Sequence, residues 1–160
     1  MASEKQAASG FVVRTLGDAD AVAVTEILRV AREAASWSEE ALRGTAELQG
    51  VSAYVSERSG TISGIVVGRR VLNEAELLNL AVREDGRRQG EGRALVKRLL
   101  EKFAEQGVSR VFLEVRESNT GAIAFYQALG FHAVGTRKDY YQDPSEAATV
   151  MELGLRKSTD

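Results

Sequence analysis

The sequence predicts an α+β fold: a mixed, mostly antiparallel central sheet flanked by helices, in three layers. Three observations predict it. Two apolar, β-rich segments at 51–57 and 61–71 are joined by the turn Arg58-Ser59-Gly60, a hairpin signal. A glycine-containing turn then leads from a strand into a long amphipathic helix carrying Leu95, Val96, Leu99, Leu100 and Phe103. Lastly, the order of elements lacks the strict βαβ alternation of a doubly wound nucleotide fold.

The elements follow in order. Residues 11–14 form a short strand. From Asp18 the pattern becomes helical, with Asp18 or Asp20 as cap and Val24, Ile27, Leu28 and Ala31 on one face. Ser36 or Ser38 caps a second short helix, with Glu39 and Glu40 in its first turn. After the hairpin, Asn73-Glu74 turns into a strand at 75–82, and Gly107 ends the long helix. A strand at 108–115, a helix at 120–129 capped by Gly130, and strands at 131–138 and 150–155 complete the chain. The expected organisation is a flexible tail at 1–10, one domain at 11–156 and a short tail at 157–160.

Composition excludes several classes of function. The 160 residues carry 21 Lys and Arg against 23 Asp and Glu, a net charge of −2, so nothing draws the whole molecule to nucleic acid or an anionic membrane. Cysteine is absent, which removes disulfides, thiolate metal sites and a cysteine nucleophile. The single histidine, His132, follows Phe131 in a strand and reads as a packing residue. A metal site is not expected. No apolar run reaches the ~20 residues of a membrane span, and the first ten residues lack the order of a signal peptide; a cytoplasmic protein is expected.

The most informative stretch runs from Leu80, Ala81 and Val82 through Arg87, Arg88, Gln89, Gly90, Glu91, Gly92 and Arg93. A strand ends, a glycine-rich turn follows and a helix begins. The first turn of a helix offers unpaired N–H groups at the positive end of its dipole, a ready anion site. Gly90 and Gly92 let the backbone approach an anion, and Arg87, Arg88 and Arg93 add charge. A solvated turn is the plain alternative. The Gly-Lys-Ser/Thr ending of a P-loop and the third glycine of a dinucleotide motif are both missing. Glu91 beside an anion is tolerable if its side chain points outward while its N–H points in.

Farther on, Glu114 lies within a buried strand. A carboxylate there is costly without a partner and is either a candidate general base or half of an ion pair with Arg116. Tyr126, on the apolar stripe of the next helix, is either core or a proton donor. Asn119 is either a helix cap or a contact residue. Trp37 reads as a buried anchor, and Tyr140 and Tyr141 as edge-strand aromatics.

A family resemblance sharpens these alternatives. Arg87-x-x-Gly90-x-Gly92 matches the Q/R-x-x-G-x-G/A signature by which GNAT enzymes hold the pyrophosphate of acetyl-CoA. The run from Phe112 to Asn119, followed by Ala124 to Phe131, looks like the pattern LEVR-x-SN…A-x-x-x-Y-x-x-x-GF of the RimI-type ribosomal-protein N-terminal acetyltransferases. Trp37-Ser38-Glu39, Leu78-Asn79-Leu80-Ala81-Val82 and Arg137-Lys138-Asp139-Tyr140-Tyr141 resemble further segments in the right order. The resemblance implies a GNAT fold, acetyl-CoA as donor, residues 88–93 on its pyrophosphate and Leu80–Val82 along its pantetheine arm. It further implies Glu114 as general base, Tyr126 as general acid, Asn119 on the cofactor, and Trp37, Tyr140 and Tyr141 on the acceptor side. Two departures stand out: Ser36 replaces a usual proline, and residues 142–148 replace a longer loop, keeping Glu146 of an acidic pair.

Without cysteine, direct transfer in a ternary complex is expected. An α-amine, with a pKa near 7.7–8.0, is more readily deprotonated than lysine near 10.4, which favours a protein N-terminus. The acceptor that the resemblance implies is the N-terminal alanine of ribosomal protein S18. The alternatives are acetylation of lysine or a small amine, or a non-catalytic acyl-CoA sensor.

Overall fold

In a computed structural model of the chain, the described residues are 10–31, 37–86, 90–142 and 144–155. The expected tail at 1–10 apart from Gly10, the tail at 157–160, and Ser36 lie outside them. One seven-stranded sheet organises the rest, in the order β1-β2-β3-β4-β5-β7-β6. Its strands are β1 (Val12–Thr15), β2 (Val51–Arg58), β3 (Thr61–Val71), β4 (Glu74–Val82), β5 (Arg110–Arg116), β6 (His132–Tyr141) and β7 (Glu146–Gly154). All neighbours are antiparallel except β4 and β5. The helices are α1 (Ala21–Val30), α2 (Glu39–Leu42), α3 (Glu91–Glu105) and α4 (Thr120–Ala128). This is the expected α+β architecture, in the expected order.

The helical spacing read from the sequence decides which faces are buried. On one side of the sheet, Leu95, Val96, Leu99 and Phe103 of α3 pack with Val66, Val111 and Leu113. On the other, Val24, Ile27 and Leu28 of α1 pack on Val55, Ile65 and Val67. Covered on both faces, β3 is buried from Ile62 to Gly68. Each fully buried Leu or Phe here is worth ~1.5–3 kcal/mol relative to exposure.

The seat of α3 depends on glycine. A Cβ at Gly68 would lie 2.6 Å from Phe103 Cζ and 2.9 Å from Leu99 Cδ2. One at Gly64 would lie 2.9 Å from Leu95 Cδ1. Without side chains at these positions, the helix settles directly onto β3.

Two irregularities shape the sheet beside the helix. The β2–β3 register passes from Ser56↔Gly64 to Glu57↔Ile62, leaving Ser63 as an extra residue. The β3–β4 register passes from Val67↔Asn79 to Gly68↔Leu77, leaving Leu78 extra. A bulge reverses which face later side chains address. Accordingly, Ala75 and Leu77 join the α3-side core, while Ala81 joins the α1-side core.

Several local expectations change. Ser38 caps α2, its Oγ accepting from Ala41 N at 3.1 Å. Asp20 makes no side-chain cap to α1; its carboxylate instead accepts from Arg14 at 2.8 Å through both oxygens and from Gly17 N. His132 is exposed rather than packed, because β6 is the outermost strand and His132–Tyr140 are all open to solvent. The last strand begins at Glu146, four residues before the expected 150, because it pairs with both β5 and β6. Among the described residues, no helix is long and apolar enough to cross a membrane.

Candidate active site

The site begins where the parallel pair comes apart. β4 and β5 pair only at Glu74↔Arg110, Ala75↔Val111 and Glu76↔Phe112. Beyond those positions β4 is paired only to β3, and β5 only to β7. A wedge therefore opens in mid-sheet between Leu80–Val82 on one side and Glu114–Arg116 on the other. The Leu78 bulge lies just before it.

At the end of β4 the chain turns into α3. Gly90 is the N-cap, with φ +86°, a left-handed conformation that favours glycine; among the described residues, no atom lies within 4 Å of a Cβ built there. The amides of Glu91, Gly92 and Arg93 form the first turn, which has no intrahelical acceptors. Gly92 fits closely against its surroundings: a Cβ there would be 3.4 Å from Phe125 Cζ and 3.8 Å from Val82 Cγ2. The end of β4, the start of α3 and the side of α4 thus meet at one place. Its open glycine cap, amide-bearing helix end and exposed Arg93 suit a phosphate group and a narrow arm entering the wedge. Arg87, Arg88 and Gln89 lie outside the described residues.

Glu91 departs from expectation. Its side chain points inward, fully buried, and accepts hydrogen bonds from Ser56 Oγ (2.9 Å), Ser63 Oγ (2.7 Å) and Arg58 (2.8 and 2.5 Å). The reason is tertiary: position 91 begins the helix face carrying Leu95 and faces the sheet, where the Ser63 bulge and Arg58 supply donors.

Glu114 stands across the wedge. On β5, Val111, Leu113 and Val115 face the α3 side, so Glu114 faces the other. It does not pair with Arg116. Its Oε2 accepts from Arg137 Nη1 at 2.7 Å, and its Oε1 from the Tyr140 hydroxyl at 3.3 Å. Arg116 pairs instead with Glu146 at 3.3 Å and lies over the Tyr141 ring at 4.4 Å. The Glu146 carboxyl is held below its ordinary range by hydrogen bonds from Ser118 and then by Arg116. A cavity of about 440 Å³ opens beside Glu114, lined by Arg69, Leu72, Glu76, Phe112 and Arg137 among others. A second, of about 520 Å³, includes Trp37, Leu48 and Leu78 and shares Arg69 with the first. Trp37 is half-buried against the α1-side core.

Tyr126 lies on the α3 side, buried edge-on between Phe125 (5.1 Å) and Phe131 (5.6 Å). Burial pushes its phenol well above the ordinary value of 10, with Tyr141 adding to the shift. Asn119 caps α4, its Oδ1 accepting from Ala122 N at 3.1 Å.

Most of the described candidates thus border the wedge or its mouth. Sequence reasoning missed the partnership of Glu114 with Arg137 and the inward turn of Glu91. The first joins strands 23 residues apart and left no local signal. The second had one: helical spacing places 91 on the face of Leu95.

The chain is similar to known proteins in sequence and in fold. Residues 21–131 match the model of the Acetyltransferase (GNAT) family. The [ribosomal protein bS18]-alanine N-acetyltransferase of Escherichia coli K12 is 41% identical over 100 residues, 61% of this chain and 68% of its own length. Its Haemophilus ducreyi counterpart is 33% identical over 122 residues, covering 74% and 83%. The crystal structure of the E. coli ribosomal-protein-S18-alanine N-acetyltransferase superposes with a TM-score of 0.80 at 32% identity, covering 94% of this chain and 97% of that one. Ard1 from Thermoplasma volcanium gives 0.83 at 28% identity, covering 92% and 99%. This chain belongs to the GNAT acetyltransferase family and is an acetyl-CoA-dependent N-acetyltransferase.

Proposed function

We propose that the enzyme moves the acetyl group of acetyl-CoA to the α-amine of a protein N-terminus, with the N-terminal alanine of ribosomal protein S18 as substrate. The observation that supports the reading is the parting of β4 from β5 beyond Glu76↔Phe112, with Glu114 on the face away from the α3-side core and Tyr126 within that core. The 41% identity to the E. coli bS18-alanine enzyme supports the choice of acceptor. A cytoplasmic location goes with it.

In this reading the first turn of α3 binds the pyrophosphate, and β4 from Leu80 to Val82 lies along the pantetheine arm. A backbone N–H of that strand polarises the thioester carbonyl. The acceptor ammonium enters from the Glu114 face, between the Trp37 side and the Tyr140–Tyr141 side. Glu114, with its side chain 15% exposed and its partner Arg137 59% exposed, is reachable: the incoming cation replaces Arg137, and Glu114 takes its proton directly or through a water. The neutral amine attacks the thioester carbonyl and the carbon–sulfur bond breaks. Tyr126, protonated at any working pH, gives its proton to the departing thiolate. Much of the rate comes from orientation of the two substrates.

The test is acetyl-CoA turnover on a short peptide copying the S18 N-terminus, beside a lysine peptide with a blocked N-terminus. Transfer to the α-amine alone is expected. Transfer to lysine alone overturns the acceptor, and binding of acetyl-CoA without any transfer overturns the catalytic reading.

A further inference from the structure

A fully buried carboxylate at the start of α3 has no part in the chemistry just described. Glu91 collects four hydrogen bonds at its two oxygens, from Ser56, Ser63 and both Nε and Nη2 of Arg58. Ser56 and Ser63 are themselves buried, and their hydroxyls are 3.2 Å apart. Stability alone does not account for such a cluster, because well-packed apolar groups serve a core as well or better than a buried ion pair.

Its location supplies the missing reason. Ser63, the extra residue of the β3 bulge, holds the chain at both ends of the turn between β4 and α3. Its carbonyl accepts from Arg83 N at 2.7 Å, just after β4. Its hydroxyl donates to Glu91, the first residue of α3. Arg58, across the β2–β3 turn from Ser63, grips Glu91 through two nitrogens and lies over the Phe11 ring at 5.5 Å. Its positive charge also neutralises the carboxylate, which would otherwise oppose an anion at the same helix end.

We propose that Glu91, held by Arg58, Ser56 and Ser63, is a positioning residue that fixes the first-turn amides of α3 for the donor's pyrophosphate. The inference rests on reading that turn as the pyrophosphate site. The cluster sets affinity for the phosphate-bearing part of the donor, leaving the chemistry at Glu114 and Tyr126 untouched. Loss of such uniform binding raises KM without lowering kcat.

The experiment compares two donors on the full chain: acetyl-CoA and S-acetylpantetheine, which has the same thioester and arm but no pyrophosphate. Glu91→Gln and Arg58→Met each raise KM for acetyl-CoA about tenfold with kcat within about twofold, the scale of a misplaced binding group. Turnover of S-acetylpantetheine stays unchanged, and Arg58→Lys, which keeps the charge, recovers part of the loss. Ser63→Ala removes one hydrogen bond and no charge, and shows the same split in smaller measure if the other variants fold poorly. Equal loss on both donors, or no change with acetyl-CoA, overturns the proposal. Gly92→Asp in the otherwise native chain separates the two readings, because it sets a negative charge at the first turn without touching the cluster. If it leaves acetyl-CoA binding intact, the pyrophosphate site is elsewhere. If it abolishes that binding while Glu91→Gln has no effect, only the positioning role fails.

Discussion

The two sides of the wedge are built differently. The side proposed for the donor uses backbone and buried groups: a glycine cap, helix amides, and a carboxylate tied by four hydrogen bonds to the sheet below. The side proposed for the acceptor uses side chains on the outer strands, where Arg137 and Tyr140 are exposed and Arg137 holds Glu114 in an ion pair. Under the proposed function, a donor of one fixed shape is met by rigid geometry, and an acceptor that is a flexible chain end by groups able to exchange a temporary partner for the incoming amine. Such an exchange trades one cation for another at Glu114, and the displaced Arg137 is already 59% exposed to water.

The sharpest way to break the comparison is to separate binding from chemistry. Glu114→Gln is expected to lower kcat by about 10³-fold, within the range of general-base catalysis, while acetyl-CoA binding stays nearly constant. Single-turnover kinetics beside calorimetric titration checks both; retained turnover removes Glu114 as the base.

A change in the donor-side scaffold should act through stability. Gly68→Ala sets a methyl 2.6 Å from Phe103 Cζ and 3.0 Å from the Glu76 carbonyl oxygen. The expected cost is about 2 kcal/mol, seen as a fall of roughly 6 °C in the thermal midpoint. A neutral outcome would mean that α3 shifts freely on β3, contrary to a rigid donor side.

Acid and alkali act on different groups, and alkali acts on both sides of the wedge. Tyr126 is raised by burial, and Tyr141 is pushed up to about 12, chiefly by burial and then by Tyr140. In the unfolded chain both phenols ionise near 10. Their contribution is therefore fully present below pH 10 and is lost as pH rises, through about 12 for Tyr141 and at higher pH still for Tyr126. Asp20, held below its ordinary 3.8 chiefly by Arg14, has the opposite sign: its contribution is present above that value and fades as pH falls beneath it. Denaturant titrations at a series of pH values should show a plateau between these limits, with Tyr141→Phe flattening the alkaline limb.

The smallest effect belongs to the exposed acceptor side. Tyr140→Phe removes a 3.3 Å hydrogen bond to Glu114 and should change the acceptor KM by no more than about twofold, with the acetyl-CoA KM constant. A larger loss would make Tyr140 a fixed part of the site.

Much of this molecule was legible in local pattern. Period-two and helical spacing, with Gly60, Gly107 and Gly130 as punctuation, set the elements and their order, because side-chain periodicity states which face must leave water. The turn from strand into helix at Gly90 was legible in the same way, and with it a helix end whose first amides lack intrahelical acceptors. What the sequence did not determine depends on neighbours distant along the chain. The bulges at Ser63 and Leu78 arise from register between strands. The exposure of His132 follows from β6 being the sheet's edge. The partner of Glu114 comes from a strand placed two positions away across the sheet, and the inward turn of Glu91 depends on donors about 30 residues earlier. A charged side chain buries only where the fold delivers its counter-charge, and only tertiary structure decides where that is.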